Sequence, residues 1–296
     1  MLRVRGADRS IDTTLIMGVV NASPESFSDA GRYTTLQSRL DLAASLVQEG
    51  ADIIDVGGES AITGVPELDA AEEIERVVPI VEWIRAKHPD VLVSVDTYKP
   101  PVVEAVLRAG ADIINDVSGL RHPEIAGMCS QAGAALVLMH TAAPPKVRMQ
   151  DPDLYVDVAA QVRDFLVAKT EEAIGLGLVP ESLILDPGPD FAKTPHQTLA
   201  LLREFDLVRA LGRPVLLALS RKDFLGAITH RSPRARGAAT DAAIAHFAAT
   251  PGSIVRVHDV AAAVDVIATV EALVGRREIP VDYVLPDEIR HEPRTT

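Results

Sequence analysis

A single cysteine, Cys129, stands in a chain of 296 residues. That excludes a disulfide framework and any cysteine-based zinc site within one chain. Positive charge is also short: 29 Lys and Arg face 42 Asp and Glu, for a net charge of −13. This balance argues against a nucleic-acid partner or an anionic membrane surface, so an anionic substrate must be met by a local basic pocket. Long apolar runs are missing. The first fourteen residues, MLRVRGADRSIDTT, hold no apolar signal core, and no stretch of 18 uncharged apolar residues follows. The expectation is a soluble, cytoplasmic protein without a membrane partner. The chain also lacks a glycine-rich phosphate turn. Its first apolar run ends in Asn21-Ala22-Ser23-Pro24, and Gly175-Leu176-Gly177 lacks the third glycine of the dinucleotide fingerprint and follows a helical stretch.

What the chain does have is enough apolar residue to bury a sizeable core, at 47% hydrophobic. Short β-branched runs recur, at Leu15–Val20, Asp52–Val56, Leu92–Val95, Ile113–Ile114, Ala135–Met139, Leu183–Leu185, Val215–Leu219 and Ile254–Val257. Their continuous apolar character suits parallel strands buried on both faces. Between them lie helical patterns at Leu36–Gln48, Ala70–Lys87, Val102–Arg108, Pro123–Gln131, Tyr155–Ile174, Gln197–Leu211, Ala238–Ala249 and Ala261–Leu273. Pro123–Gln131 is the weakest. No composition break marks a second domain. Eight β/α alternations could wind into an open sheet or close into a barrel.

The strand exits decide between them. In order they offer Asn21, Asp55, Asp96, Asn115, His140, Asp186, Ser220 with Lys222, and Arg256 with His258. A barrel collects all eight carboxyl-terminal strand ends on one face, where its active site lies. The expected fold is α/β, a single-domain (β/α)8 TIM barrel over residues 1–275, with residues 276–296 as a C-terminal surface tail.

Asp96, Asn115 and Asp186 put three acceptors around one pocket, which suits a flat heterocycle carrying several N–H donors. Asp96 and Asp186 could instead cap helices, or join Asn21 around a magnesium ion. After strands seven and eight, where such barrels commonly bind phosphate, Lys222 offers a mobile point charge and Arg256 a rigid donor fork. With no paired histidine nearby, His258 reads as a phosphate donor. Met139 could line the pocket or belong to the core. The connections Ala22–Thr35, with Pro24, Ser26, Phe27, Ser28, Asp29 and Gly31, and Gly57–Leu68 are long enough to be lids.

Several motifs then resemble one family. Met17-Gly18-Val19-Val20-Asn21-Ala22-Ser23-Pro24, Asp52-Ile53-Ile54-Asp55-Val56-Gly57-Gly58-Glu59-Ser60, Ser94-Val95-Asp96-Thr97, Ile114-Asn115-Asp116-Val117, Leu185-Asp186-Pro187-Gly188, Leu219-Ser220-Arg221-Lys222 and Arg256-Val257-His258-Asp259-Val260 occur in the order seen in dihydropteroate synthases, the pterin-binding barrels targeted by sulfonamides. The resemblance implies a transferase that joins 6-hydroxymethyl-7,8-dihydropterin pyrophosphate to p-aminobenzoate in folate biosynthesis. It implies Asp96, Asn115, Asp186, Lys222 and Met139 around the pterin, and Asn21, Arg256 and His258 on the pyrophosphate. Phe191, Ser220 and Lys222 would border p-aminobenzoate, with Lys222, Arg256 and Asp96 carrying catalysis. Mg2+ near Asn21 and a homodimer are implied as well. Where the family continues Thr-Arg-Pro-Gly after Ser60, this chain has Ala61-Ile62-Thr63-Gly64; Asp190-Phe191-Ala192-Lys193 replaces Gly-Phe-Gly-Lys, and Asp223 stands where Ser is usual. A pterin-binding paralogue with weak or no turnover is the alternative reading.

Overall fold

The computed structural model describes residues 1–22, 35–60 and 63–291. Two three-residue strands, β1 (Leu2–Val4) and β2 (Ala7–Arg9), form an antiparallel hairpin. Its turn puts Arg5 and Gly6 at positive φ, 51° and 71°, the geometry that lets a two-residue hairpin follow the strand twist. The sequence reading had no element here.

Eight parallel strands follow: β3 (Leu15–Asn21), β4 (Ile53–Gly57), β5 (Leu92–Asp96), β6 (Ile113–Asp116), β7 (Ala135–Met139), β8 (Leu183–Asp186), β9 (Val215–Leu217) and β10 (Ser253–Val257). They close in chain order, with β10 pairing β3. The expected barrel is there. Strand alternation sorts its side chains. Ile16, Val20, Ile54, Val56, Val93 and Val95 point outward into the core shared with the helices. Met17, Ile53, Leu92, Ile113, Ile184, Leu216 and Ile254 point inward and pack with Leu2, Val4 and Ile11. The N-terminal hairpin is therefore the plug at the amino-terminal end of the barrel, and the carboxyl-terminal end is left open.

The outer layer comprises α1 (Leu36–Gln48), α2 (Ala70–Lys87), α3 (Pro100–Ala109), α4 (Glu124–Ala132), α5 (Val158–Gly175), α6 (Pro195–Arg203), α7 (Asp206–Arg209), α8 (Asp223–Thr229), α9 (Gly237–Ala248) and α10 (Val260–Leu273). Side-chain caps start several of them: Asp69, Asp157 and Asp259 each accept a first-turn amide, and Thr35 and Thr194 complete capping boxes. The single helix expected over Gln197–Leu211 is two. The chain breaks at Glu204 (φ −102°, ψ 25°), and Phe205 and Val208 stay buried on either side of the second start. Helix α8, with seven residues, is too short to leave a period in the sequence and was not expected. The weak candidate at Pro123–Gln131 is a real helix, displaced by one residue.

Gly58, in the double glycine after β4, packs directly under α2. A Cβ there would come within 2.7 Å of Glu73 Cγ and 2.8 Å of Val77 Cγ1. No helix among the described residues is long and apolar enough to cross a membrane. Beyond α10 the described residues are largely exposed, with one 3-10 turn at Asp287–Ile289.

Candidate active site

A cavity of about 880 Å3 opens at the carboxyl-terminal end of the barrel. All ten candidate side chains line it. Register sets them in two tiers: Asn21 lies opposite Gly57, Gly57 opposite Asp96 and Asp96 opposite Asn115, while Met139 lies opposite Asp186 two residues further along than Val137 and Ile184, which continue the Asn115 row. Ser220 and Lys222 come from the loop after β9, Phe191 from the loop after β8, and Arg256 and His258 from β10 and its exit. Gly57 contributes no side chain, so the wall between Asn21 and Asp96 stays open.

The floor is an acid–base network. Asp55 is fully buried one inward step below the rim. It accepts from Ser94 Oγ at 2.6 Å and from Arg256 Nε at 2.7 Å, with Asn115 Nδ2 at 3.4 Å from Oδ2. Arg256 Nη2 reaches Asp96 Oδ2 at 3.5 Å. Burial, with the Asp55 charge adding to it, pushes the Asp96 carboxyl up to about 7 against the pull of Arg256. Burial disfavours the Arg256 charge, but Asp55 and Asp96 outweigh it and hold the guanidinium above its ordinary value. Burial likewise pushes Asp186 up to about 6, restrained by the Gly188 amide at 2.7 Å and by the Lys222 and Lys193 charges. Asn115 Oδ1 is buried with no hydrogen-bond partner among the described residues. A buried acceptor without a partner is costly, and a donor-bearing ligand in the cavity removes that cost.

The opposite wall is cationic and aromatic. Lys222 Nζ sits 4.3 Å from the Phe191 ring centroid, a cation–π contact. Burial lowers the Lys222 pKa, offset by Asp190 and Asp186. Ser220 Oγ lies 2.9 Å from His258 Nδ1, so the residues expected at p-aminobenzoate and at pyrophosphate are joined. Arg256 is less open than its sequence position implied, since two of its five N–H donors already meet carboxylates.

Of the eight exits, Asp55 lies under the cavity wall and His140 is turned away. His140 follows the inward Met139, so alternation aims it outward, where it is buried beside Lys193. Asp190, where the family has glycine, caps α8. Its Oδ2 accepts from Asp223 N at 2.6 Å and Phe224 N at 3.3 Å. The described parts of the second expected lid are tied down. Glu59 meets Lys99 at 2.9 Å and Lys146 at 3.0 Å, Gly64 N donates to Lys146 O at 3.0 Å, and Lys146 Nζ also bonds Ser60 O. Lys146 carried no sequence signal, because it acts across loops distant in the chain, and Asp190 stood out only as a departure from the family's glycine, with no role attached. The first lid residues Pro24, Ser26, Phe27, Ser28, Asp29 and Gly31, and Ala61 and Ile62 of the second, lie outside the described residues.

A family model described as pterin binding enzyme matches residues 17–258. The dihydropteroate synthase of Synechocystis sp. is 39% identical over 262 residues, covering 88% of this chain and 90% of that protein. The Yersinia pestis dihydropteroate synthase, solved in a sulfonamide drug complex, superposes with a TM-score of 0.86 at 33% identity, covering 92% of this chain and 98% of that one. The Xanthomonas albilineans dihydropteroate synthase, solved with 4-aminobenzoic acid, gives 0.83 at 37% identity, covering 92% and 97%. With family match, relatives and barrel in agreement, the chain belongs to the pterin-binding enzymes and, among them, to the dihydropteroate synthases.

Proposed function

We propose that the chain condenses 6-hydroxymethyl-7,8-dihydropterin pyrophosphate with p-aminobenzoate, giving 7,8-dihydropteroate and pyrophosphate. The observation that carries this is the set of Asp96, Asn115 and Asp186 around one cavity with the unpartnered Asn115 Oδ1 among them. These acceptors take the N–H edge of the pterin, Met139 walls its face, and Lys222 donates to it. Asn21, Arg256 and His258 receive the pyrophosphate. Phe191, Ser220 and Lys222 border the amine.

The reaction breaks the C–O bond between the pterin methylene and the pyrophosphate, whose oxygen keeps both electrons. The lone pair of the aromatic amine forms the new C–N bond, and the amine then loses a proton. Arg256 and His258 stabilise charge on the departing oxygen, and the carboxylates hold the electron-rich ring that carries the developing cation. Fixed charges in a site shielded from water, together with the placement of a weakly nucleophilic amine, supply the acceleration.

Mg2+ fits this site as an ion carried with the substrate. No group of three His, Cys, Asp or Glu among the described residues could hold a metal, whereas Asn21 offers one amide oxygen beside the expected phosphates. Bound there, the ion would neutralise pyrophosphate charge. A homodimer in the cytoplasm belongs to the same proposal. The apolar groove between α6, α8 and α9, lined by Leu199, Leu202, Phe224, Leu225 and Ile228, supports a second copy as its cover.

The test is pyrophosphate release from the purified protein with Mg2+. Release is expected only when both substrates are present. Its absence in a protein that still binds the pterin overturns the reading.

A further inference from the structure

Lysine is rarely fully buried, because its charge is costly to desolvate. Lys193 is 0% exposed, and it is the largest of the fully buried side chains. Among the described residues, no carboxylate is one of its hydrogen-bond partners. Its Nζ donates to Gly188 O at 2.9 Å and to Phe191 O at 3.1 Å, and lies 2.9 Å from His140 Nδ1. An ammonium has three N–H donors and no acceptor. Three acceptors therefore match it, provided His140 presents a lone pair at Nδ1. Burial, with Lys193 beside it, pushes His140 down to about 3, which keeps the ring neutral.

The loop held this way follows an unusual path. Gly188, Asp190 and Ala192 alternate at φ of 66°, 64° and 49°, and two of the three carry a Cβ. Non-glycine residues persist in this region only where their surroundings over-determine them. Gly188 cannot be replaced either, since a Cβ there would sit 2.1 Å from His140 O. Tyr155 adds a second hold, donating to Ala192 O at 3.0 Å, with its ring centroid 6.0 Å from Lys193 Nζ.

What the loop displays faces the cavity. Phe191, whose carbonyl Lys193 grips, lies under the Lys222 ammonium. Asp190 accepts the first amides of α8, the helix that Lys222 begins, and its Oδ1 accepts from Thr198 Oγ1 at 3.1 Å. Gly188 N donates to Asp186 within the same short turn, so that bond is local to the β8 exit. The lever thus acts first on the amine side of the cavity, through Phe191, and reaches the pterin side only at second hand, through Lys222 and the charge it presents to Asp186.

We propose that Lys193 is a positioning residue for the second substrate: from beneath the cavity its buried amino group fixes the 188–192 loop, and through it sets Phe191 and Lys222 for the aromatic amine. This rests on the reading of Phe191 and Lys222 as the border of the p-aminobenzoate slot. Lys193 itself touches no substrate.

The test is Lys193→Met, which keeps the length of the side chain and removes all three donors. The KM for p-aminobenzoate is expected to rise at least about tenfold, and by clearly more than the change in pterin affinity measured by calorimetry. Tyr155→Phe, a milder loss on the same loop, is expected to give the same split at about two- to fivefold, and it decides the matter if Lys193→Met does not fold. Equal weakening of both substrates, or an unchanged KM for the amine in folded variants, overturns the proposal. Hydrogen exchange gives a readout independent of turnover: amides of residues 188–193 must lose protection in Lys193→Met, or in Tyr155→Phe if Lys193→Met does not fold, and unchanged protection overturns it as well. Failure of the native protein to release pyrophosphate would count against the enzymatic reading alone.

Discussion

The Asp55 carboxylate lies 2.7 Å from Arg256 Nε, fully buried, with Ser94 Oγ on its other oxygen. Asp55 holds the guanidinium in place from below while Arg256 lines the cavity above. Removing one partner of a buried pair leaves the other charge uncompensated, at about 3–5 kcal/mol. Asp55→Asn is expected to lose about 3 kcal/mol of stability in urea melts, with an unchanged m-value. A loss under 1 kcal/mol would mean that Arg256 finds its partner elsewhere.

Asp96→Ala and Asp186→Ala are each expected to leave a folded chain with little or no measurable pterin binding. Each removes charge-assisted bonds of about 1.5–3 kcal/mol, roughly ten- to a hundredfold in affinity. Native affinity by calorimetry in both variants would assign these carboxylates to structure alone.

The raised pKa of Asp96, about 7, gives a pH dependence with a definite sign. Between about pH 4 and 7 the unfolded chain has released this proton and the folded chain still holds it. The unfolded state binds fewer protons there, so stability falls as pH rises through that window. Asp96→Asn should remove this slope, and the difference between native protein and variant should widen from about pH 4 to 7 and then level off. Pterin binding runs the other way. It needs the ionised acceptor, and should weaken below about pH 7 in the native protein. A native stability curve parallel to that of the variant would show that Asp96 titrates normally.

Ala61→Thr/Ile62→Arg restores the two side chains that related sequences place in the second lid. One charge-assisted bond to a phosphate is worth about 1.5–3 kcal/mol. The double substitution is expected to raise kcat/KM at least about tenfold. Unchanged kinetics would point to a cation already serving the phosphates, with Lys146 on the neighbouring loop the first to examine.

The barrel was legible because each strand is a compact apolar run and each exit is polar. Asn21, Asp96, Asn115, Asp186 and Arg256 share inward parity on their strands, so pattern alone brings them to one rim. The same parity rule would have turned His140 away from the site, since it follows the inward Met139. Other features left no trace. The hairpin strands and α8 are too short for any period to show. The break at Glu204 comes from burying Phe205 and Val208. The segment holding Asp190 and Lys193 showed in the sequence only as a departure from the family pattern; the roles of both come from loop geometry, which side-chain type alone does not reveal.

The plug at the base of the barrel separates durability from chemistry. Leu2 and Val4 pack among inward side chains of the strands at the end of the barrel opposite the substrates. Each buried side chain of this size contributes about 1.5–3 kcal/mol. Excising residues 1–9 should therefore lower the melting temperature while leaving KM for both substrates unchanged. Engineering for heat tolerance can then be confined to the floor of the molecule, where repacking cannot disturb turnover.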